Sequence, residues 1–289
     1  MRPRRRYLGP APPTAMPRLA ALVLLALAAP VWAQASSEAM AVATPQAEDR
    51  TASSGVFDAE TAPAYYVTRR GVPMRSAPWA SAPLLTTLRT REGVRVLDSS
   101  TDPSAPTPAD PWWLVQYGDQ RGYVQASALS NVWIRIDKSD RTTYVYRGAE
   151  LLYEYPSDVS VSPEDKVRRS GQEELDHYRM PEGTFFVTRL NDASSYYRAF
   201  VLSYPGPTHA LRGVQEGIIT QAQYQTILRA DQQGLEPPMN TPLGGLIEIH
   251  GHGSGRQRAW TRGCVALRNV HMDELWGIVQ VGTPVVIEP

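Results

Sequence analysis

The sequence predicts a mainly β protein with two folded units, a small barrel followed by a larger β-rich domain that carries a few helices. The first observation is the texture from residue 65 onward, where YYVTRRGVPMRSAP, LLTTLRTREGVRVLDSS and WWLVQYGDQRGYVQASAL alternate apolar and polar residues. Gly and Asp-Gln turns cut these runs into the short strands of a small barrel. The second is a new series from residue 131: WIRIDKSDRTTYVYRGAELLYEYPSDVSV, then FFVTRLN, RAFVLSYPG and GGLIEIHGHG. These are again alternating strands joined by turns. One helix is predicted near 218–231 and another near 272–279, and the apolar TPVVIEP run completes the sheet. TDPSAPTPADP, with four prolines, reads as a surface loop between two barrel strands.

Ahead of the barrel, Arg2, Arg4, Arg5, Arg6 and Arg18 precede LAALVLLALAAPVWAQA, an apolar run ending in small residues. That order of charge, apolar stretch and A-x-A site is a secretory signal peptide over 1–35, with cleavage after Ala35. Met16, followed by Pro17 and Arg18, is an alternative start. The apolar run is short for a bilayer, so release is expected and no stable membrane span. Residues 36–62 are rich in Ala, Ser, Thr, Glu and Pro without apolar periodicity, a disordered linker. Basic and acidic side chains number 29 each, and five of the basic ones lie in 1–35. The exported remainder is therefore acidic by about five charges, and no nucleic-acid footprint follows.

Cys264 is the only cysteine, so it makes no internal disulfide. In an exported chain it is a buried apolar group, an intermolecular partner or a reactive thiol. A reactive thiol needs a base to form its thiolate and donors to hold the charge that moves to the substrate oxygen. Thr261-Arg262-Gly263-Cys264 sets a glycine before the thiol, where the backbone can bend and bring N–H groups to a carbonyl. His250 and His252 are the candidate bases, at the end of the apolar run 246–249, and Gly251 between them allows close approach. Arg262 is either a solvated arginine or a cation that lowers the thiol pKa or meets a carboxylate. Asn269 and Asp273 are placed to cap and start the last helix. His177, His209 and His271 receive no role.

The segments at 67–78, 88–96 and 113–124 resemble a bacterial SH3 domain, placed over 63–130. In that reading Trp112, Trp113, Tyr117 and Tyr123 fill the core and rim of the barrel, with ligand stacking as the alternative. IEIHG, TRGCVALRN and the terminal VGTPVV, with MPEGTFFV and TPLGG, resemble the L,D-transpeptidase (YkuD-like) catalytic domain over 131–289. The resemblance implies a β-sandwich and an extracytoplasmic, periplasmic cysteine acyltransferase on peptidoglycan stem peptides, without metal or organic cofactor. Carried over by residue, Cys264 matches the nucleophile, His250 the base, Thr261 the S/T position and Gly263 the glycine. Gly251, Thr261, Arg262 and Gly263 are the expected substrate and oxyanion positions.

Arg262 stands where many members have histidine, Ala266 where many have arginine. Both departures are similar to a YafK-like sub-branch reading D-W-T-x-G-C-I-A-L-x-N, although Ala259 replaces its aspartate. The acyl acceptor stays open: an amine of a second stem peptide, a lipoprotein or an outer-membrane protein, or water, which makes the chain a hydrolase. Two readings of other classes stand beside it, a zinc peptidase using His250, His252 and Cys264, and a wall-binding protein without catalysis.

Overall fold

The computed structural model describes residues 61–99, 110–169 and 178–289. The predicted signal peptide, most of the linker, most of the proline-rich loop and His177 lie outside those residues.

Seven strands form one sheet in the order Leu84–Leu88, Val72–Arg75, Gln120–Gln125, Trp112–Tyr117, Gly93–Asp98, Ala64–Val67 and Leu129–Ser130. Their alternate positions, Val67, Val72, Met74, Leu88, Val94, Val96, Val115 and Val124, meet in one buried cluster. One sheet encloses such a cluster by curling over itself, which makes this the predicted small barrel. Trp113 and Tyr117 pack partly buried against that cluster, and the Tyr65 and Trp113 rings meet edge to face at 5.4 Å.

A second sheet of eight strands follows the order Glu150–Pro156, Thr142–Arg147, Val132–Asp137, Pro284–Glu288, Gly183–Ser194, Tyr197–Leu202, Glu248–His250 and Val265–Ala266. The C-terminal strand lies mid-sheet, parallel to Val132–Asp137 with Val285 opposite Ile134 and antiparallel to Gly183–Ser194. Ile134, Ile136 and Val145 from one half share a single buried cluster with Phe185, Phe200, Ile249 and Val265 from the other. The sheet therefore folds across one core, the expected sandwich arrangement. Each of these side chains contributes roughly 1.5–3 kcal/mol by leaving water.

Three helices flank the sheet: α1 (Pro207–Gln215), α2 (Gln221–Gln232) and α3 (Asn269–Trp276). The single helix predicted near 218–231 is α2, opened by a capping box between Thr220 and Gln223. Helix α1 is an addition to the prediction; it starts at Pro207, whose missing N–H costs nothing at a first helical position. Ala210 of α1 and Ile227 of α2 share a small buried cluster with Ile219 and Leu243. Helix α3 begins three residues earlier than predicted, and neither proposed cap serves there. Arg268 is the N-cap without a side-chain bond. The Asn269 side chain instead accepts the His252 N–H at 2.8 Å, and Asp273 accepts from Tyr197 and Arg198.

The barrel is docked on the larger unit. Arg91, in the left-handed region at φ 73°, donates to Asp231 at the end of α2 at 3.1 Å. Its guanidinium lies 4.0 Å over the Phe186 ring. Beside it the Tyr66 hydroxyl donates to the Val132 carbonyl at 2.8 Å.

Candidate active site

The strand Glu248–His250 lies parallel to Val265–Ala266, with Ile249 opposite Val265 and His250 opposite Ala266. Ile249 and Val265 point into the core. One step back in this register places Cys264 beside Glu248, two residues from His250. Two residues along a strand are about 7 Å, a gap that a cysteine and a histidine side chain can bridge between them. The geometry thus brings the predicted thiol and the predicted first-choice base to one edge of one sheet.

His250 is only 2% exposed although it ends its strand. Tyr196 stacks on its ring at 4.5 Å and Trp260 meets it edge-on at 6.1 Å. Its Nδ1 lies 2.7 Å from the Gly251 carbonyl oxygen. A carbonyl only accepts, so Nδ1 carries the proton and Nε2 is left with its lone pair. Burial holds the imidazole below the ordinary histidine range, opposed by the Gly251 bond and reinforced by nearby His252. His250 is therefore neutral at pH 7, the form that can accept a proton.

Cys264 keeps part of its surface accessible. Its Sγ donates to the Leu246 carbonyl at 3.5 Å. Burial pushes the thiol up to about 12; the Glu248 backbone N–H and the Lys166 cation pull it down, while the Glu248 carboxylate pushes it up. At rest the thiol is thus protonated, and a thiolate must be formed by proton transfer to a base.

The turn that carries the thiol is built by its neighbours. The buried Thr261 hydroxyl donates to the Cys264 carbonyl at 2.6 Å and closes residues 261–264. Gly263 sits at φ +123°, and a Cβ there would stand 2.7 Å from the Arg179 carbonyl oxygen, so only glycine fits. A Cβ on Gly251 would likewise fall 2.7 Å from both Asn269 Oδ1 and the Tyr196 carbonyl. Arg262 is exposed beside this turn.

His252 lies just past this strand end. It follows the end of the strand in the left-handed region, at φ +62°, and its ring is exposed, 6.5 Å from those of Tyr196 and Tyr197. Among the described residues no three His, Cys, Asp or Glu side chains gather as a metal-holding set. The groups that the motif reading missed are Asp158, Lys166, Tyr196 and Trp260. Trp260 lay inside the quoted motif, but the other three are 68 or more residues from Cys264 with no local signature.

The fold and the site define a class: a two-unit, mainly β protein whose larger sheet carries a thiol beside a neutral imidazole at one edge. Comparison with known proteins narrows it. The L,D-transpeptidase catalytic domain family (YkuD) matches residues 131–287, and the bacterial SH3 domain family matches 70–130. The chain belongs to the L,D-transpeptidase family and carries a bacterial SH3 domain ahead of its catalytic domain. Solved structures similar to it include Bd1075 of Bdellovibrio bacteriovorus, at 22% identity over 56% of this chain and 49% of that one, with a TM-score of 0.36. An L,D-transpeptidase from Xylanimonas cellulosilytica is 15% identical over 55% of this chain and 61% of its own, at 0.33. One from Mycobacterium smegmatis is 14% identical over 78% and 95%, at 0.34. The chain thus spans 49% and 61% of the first two structures. No curated protein matches it.

Proposed function

We propose that this L,D-transpeptidase is an exported cysteine acyltransferase that acts on peptidoglycan stem peptides, with Cys264 as nucleophile and His250 as base. The observation that carries the reading is the 2.7 Å bond from His250 Nδ1 to the Gly251 carbonyl, which leaves Nε2 free to take a proton at the sheet edge that holds Cys264. Export rests on the charge and apolar pattern of 1–35. Among the described residues no helix is long and apolar enough to cross a membrane. The division into leader 1–35, linker 36–62, barrel 63–130 and catalytic domain 131–289 belongs to the same proposal.

In this mechanism His250 Nε2 takes the thiol proton and the Cys264 thiolate attacks the carbonyl carbon after the third stem residue. Backbone N–H groups around Gly263 and Cys264 hold the oxyanion. As the tetrahedral adduct collapses, the C–N bond breaks and the imidazolium returns its proton to the leaving D-alanine amine. The thioester left on Cys264 is then attacked by an acceptor, which loses its proton to His250 as the thiol is regenerated. An amine acceptor, from a second stem peptide or from a protein lysine, gives transfer; water gives hydrolysis through the same thioester.

Mass spectrometry of muropeptides from sacculi incubated with the protein, in parallel with Cys264→Ala, tests the reading. Cross-links between third residues or D-alanine exchange, absent with the variant, support transfer. Tripeptides or freed protein stubs assign water as acceptor. Identical profiles from both proteins overturn the role of Cys264 and return the choice to wall binding or, if the protein carries stoichiometric zinc, to a metallopeptidase.

A further inference from the structure

Between the strands Glu248–His250 and Ala259–Thr261 the chain runs through eight residues with no ladder of its own. Their anchor is Asp158, fully buried before the strand Val159–Ser160. Its backbone N–H and carbonyl are both bonded to Ala266, at 2.9 Å each, the residue opposite His250. Its carboxylate accepts four bonds from the connecting segment: Ser254 N–H at 2.7 Å, Ser254 Oγ at 2.7 Å, Arg258 N–H at 2.9 Å and Trp260 Nε1 at 2.7 Å. Trp260 is the ring that stands edge-on to His250, and Tyr196 covers the imidazole from another direction. These two rings are 39% and 44% exposed, yet the imidazole near them is 2% exposed, so surface aromatics form part of its cover.

We propose that Asp158 is the positioning residue of this site: its buried carboxylate ties residues 254–260 to the strand that follows the thiol and so stands Trp260 against the His250 ring. The inference rests on the reading of His250 as the base. Three of the four donors are N–H groups, which only donate, and the fourth, the Ser254 hydroxyl, gives its proton here while accepting from Arg256 N–H at 3.1 Å, so the site calls for a group that only accepts. An asparagine of the same shape offers one oxygen and turns an NH2 toward at least one of the donors. Burial raises the Asp158 carboxyl, but its bonds from Ser254, Trp260 and Arg258 outweigh that and hold it below the usual carboxylate range. The anchor is consequently ionised throughout the neutral range.

The test is the imidazole titration of His250 by NMR in wild type and Asp158→Asn, together with the pH profile of muropeptide turnover. The titratable groups near His250 are His252 with Tyr197 against its ring, Glu248 on the His250 strand, Tyr196 stacked on the imidazole, and Cys264 just ahead of the neighbouring strand. All of these remain in the variant. Removing a negative charge alone moves an imidazole down in pKa, whereas uncovering it moves it up, so the direction separates the two effects. The expected result is an upward movement toward the ordinary histidine value. The acid limb of turnover should move with it, and kcat should fall by about 100-fold with KM changed less, as for a reacting group displaced by about 1 Å.

A folded Asp158→Asn protein whose His250 titration is unchanged or lower overturns the proposal. If that variant does not fold, Ser254→Ala and Trp260→Phe each remove one of the four bonds and should move the titration up by less; no movement in either overturns it as well. Should wild type turn over no muropeptide while the titration still moves, the proposed reaction fails and the positioning role stands.

Discussion

Two buried histidines of the catalytic domain, His250 and His209, look alike by burial, at 2% and 5% exposed, and both are held below the ordinary histidine range. Their surroundings differ. His209 lies on α1 with its ring 5.4 Å from Phe185 and 5.0 Å from Tyr204, both fully buried. Burial carries it down to about 4, with Asp165 pulling up and Arg212 pulling down. His250 is covered by Tyr196 and Trp260, both exposed, and its protonated nitrogen is tied to a carbonyl so that the other is free. Burial alone therefore does not mark a base. What separates the two is that the cover of His250 is made of surface side chains and that Cys264 sits two residues away across the strand register, which is why the proposed base is His250 and not His209.

The sharpest way to break this comparison is to remove each ring. His250→Ala should lower turnover per folded molecule by about 10²–10⁴-fold. A loss no larger than that from His252→Ala would unseat His250. His209→Ala should do the reverse: a stability loss of about 2–4 kcal/mol in denaturant unfolding from an emptied core site, with turnover per folded molecule within about twofold of wild type. Equal activity losses from both would erase the distinction.

Next in size is the pH dependence of stability. The folded pKa of His209, about 4, lies below the ordinary 6.5, so the unfolded chain binds the proton more tightly. The stability it contributes is complete above pH 6.5 and is lost as pH falls toward 4, at most about 3 kcal/mol. Unfolding midpoints between pH 4 and 7 should show that slope, and His209→Phe should flatten it. A slope retained in His209→Phe would place the titrating group elsewhere. The smallest effect is expected at His252, whose exposed ring should be replaceable by alanine with turnover changed less than about twofold. A large loss there would move the base two residues along the chain.

The site was legible where its chemistry is local. Thr261, Gly263 and Cys264 form one turn, and His250 and Gly251 one strand end, so four-residue spacing already carries their geometry. The strands were legible because burial on one face imposes a period of two, as in Val132, Ile134 and Ile136. Helix α1 was not, since PTHALRGVQ is only nine residues long, opens on a proline and buries only His209, Ala210 and Gly213, too short a run for a helical period to stand out among strands. The helix caps assigned to Asn269 and Asp273 failed for a related reason. Polar side chains near a helix start have other donors to serve, here the His252 N–H, Tyr197 and Arg198.

Sequence by itself therefore determined the mainly β character and the two units, and it supplied the thiol and the histidine-glycine step of the proposed site, because periodicity and backbone-level motifs act over a few residues. Only the tertiary structure decided which histidine is covered and which is exposed, that the Lys166 cation lies where it lowers the thiol pKa, and that the Asp158 carboxylate bonds the segment between His250 and Cys264. Those choices depend on desolvation and on hydrogen bonds between residues some 100 positions apart, quantities that exist only once the sheet has folded over its core.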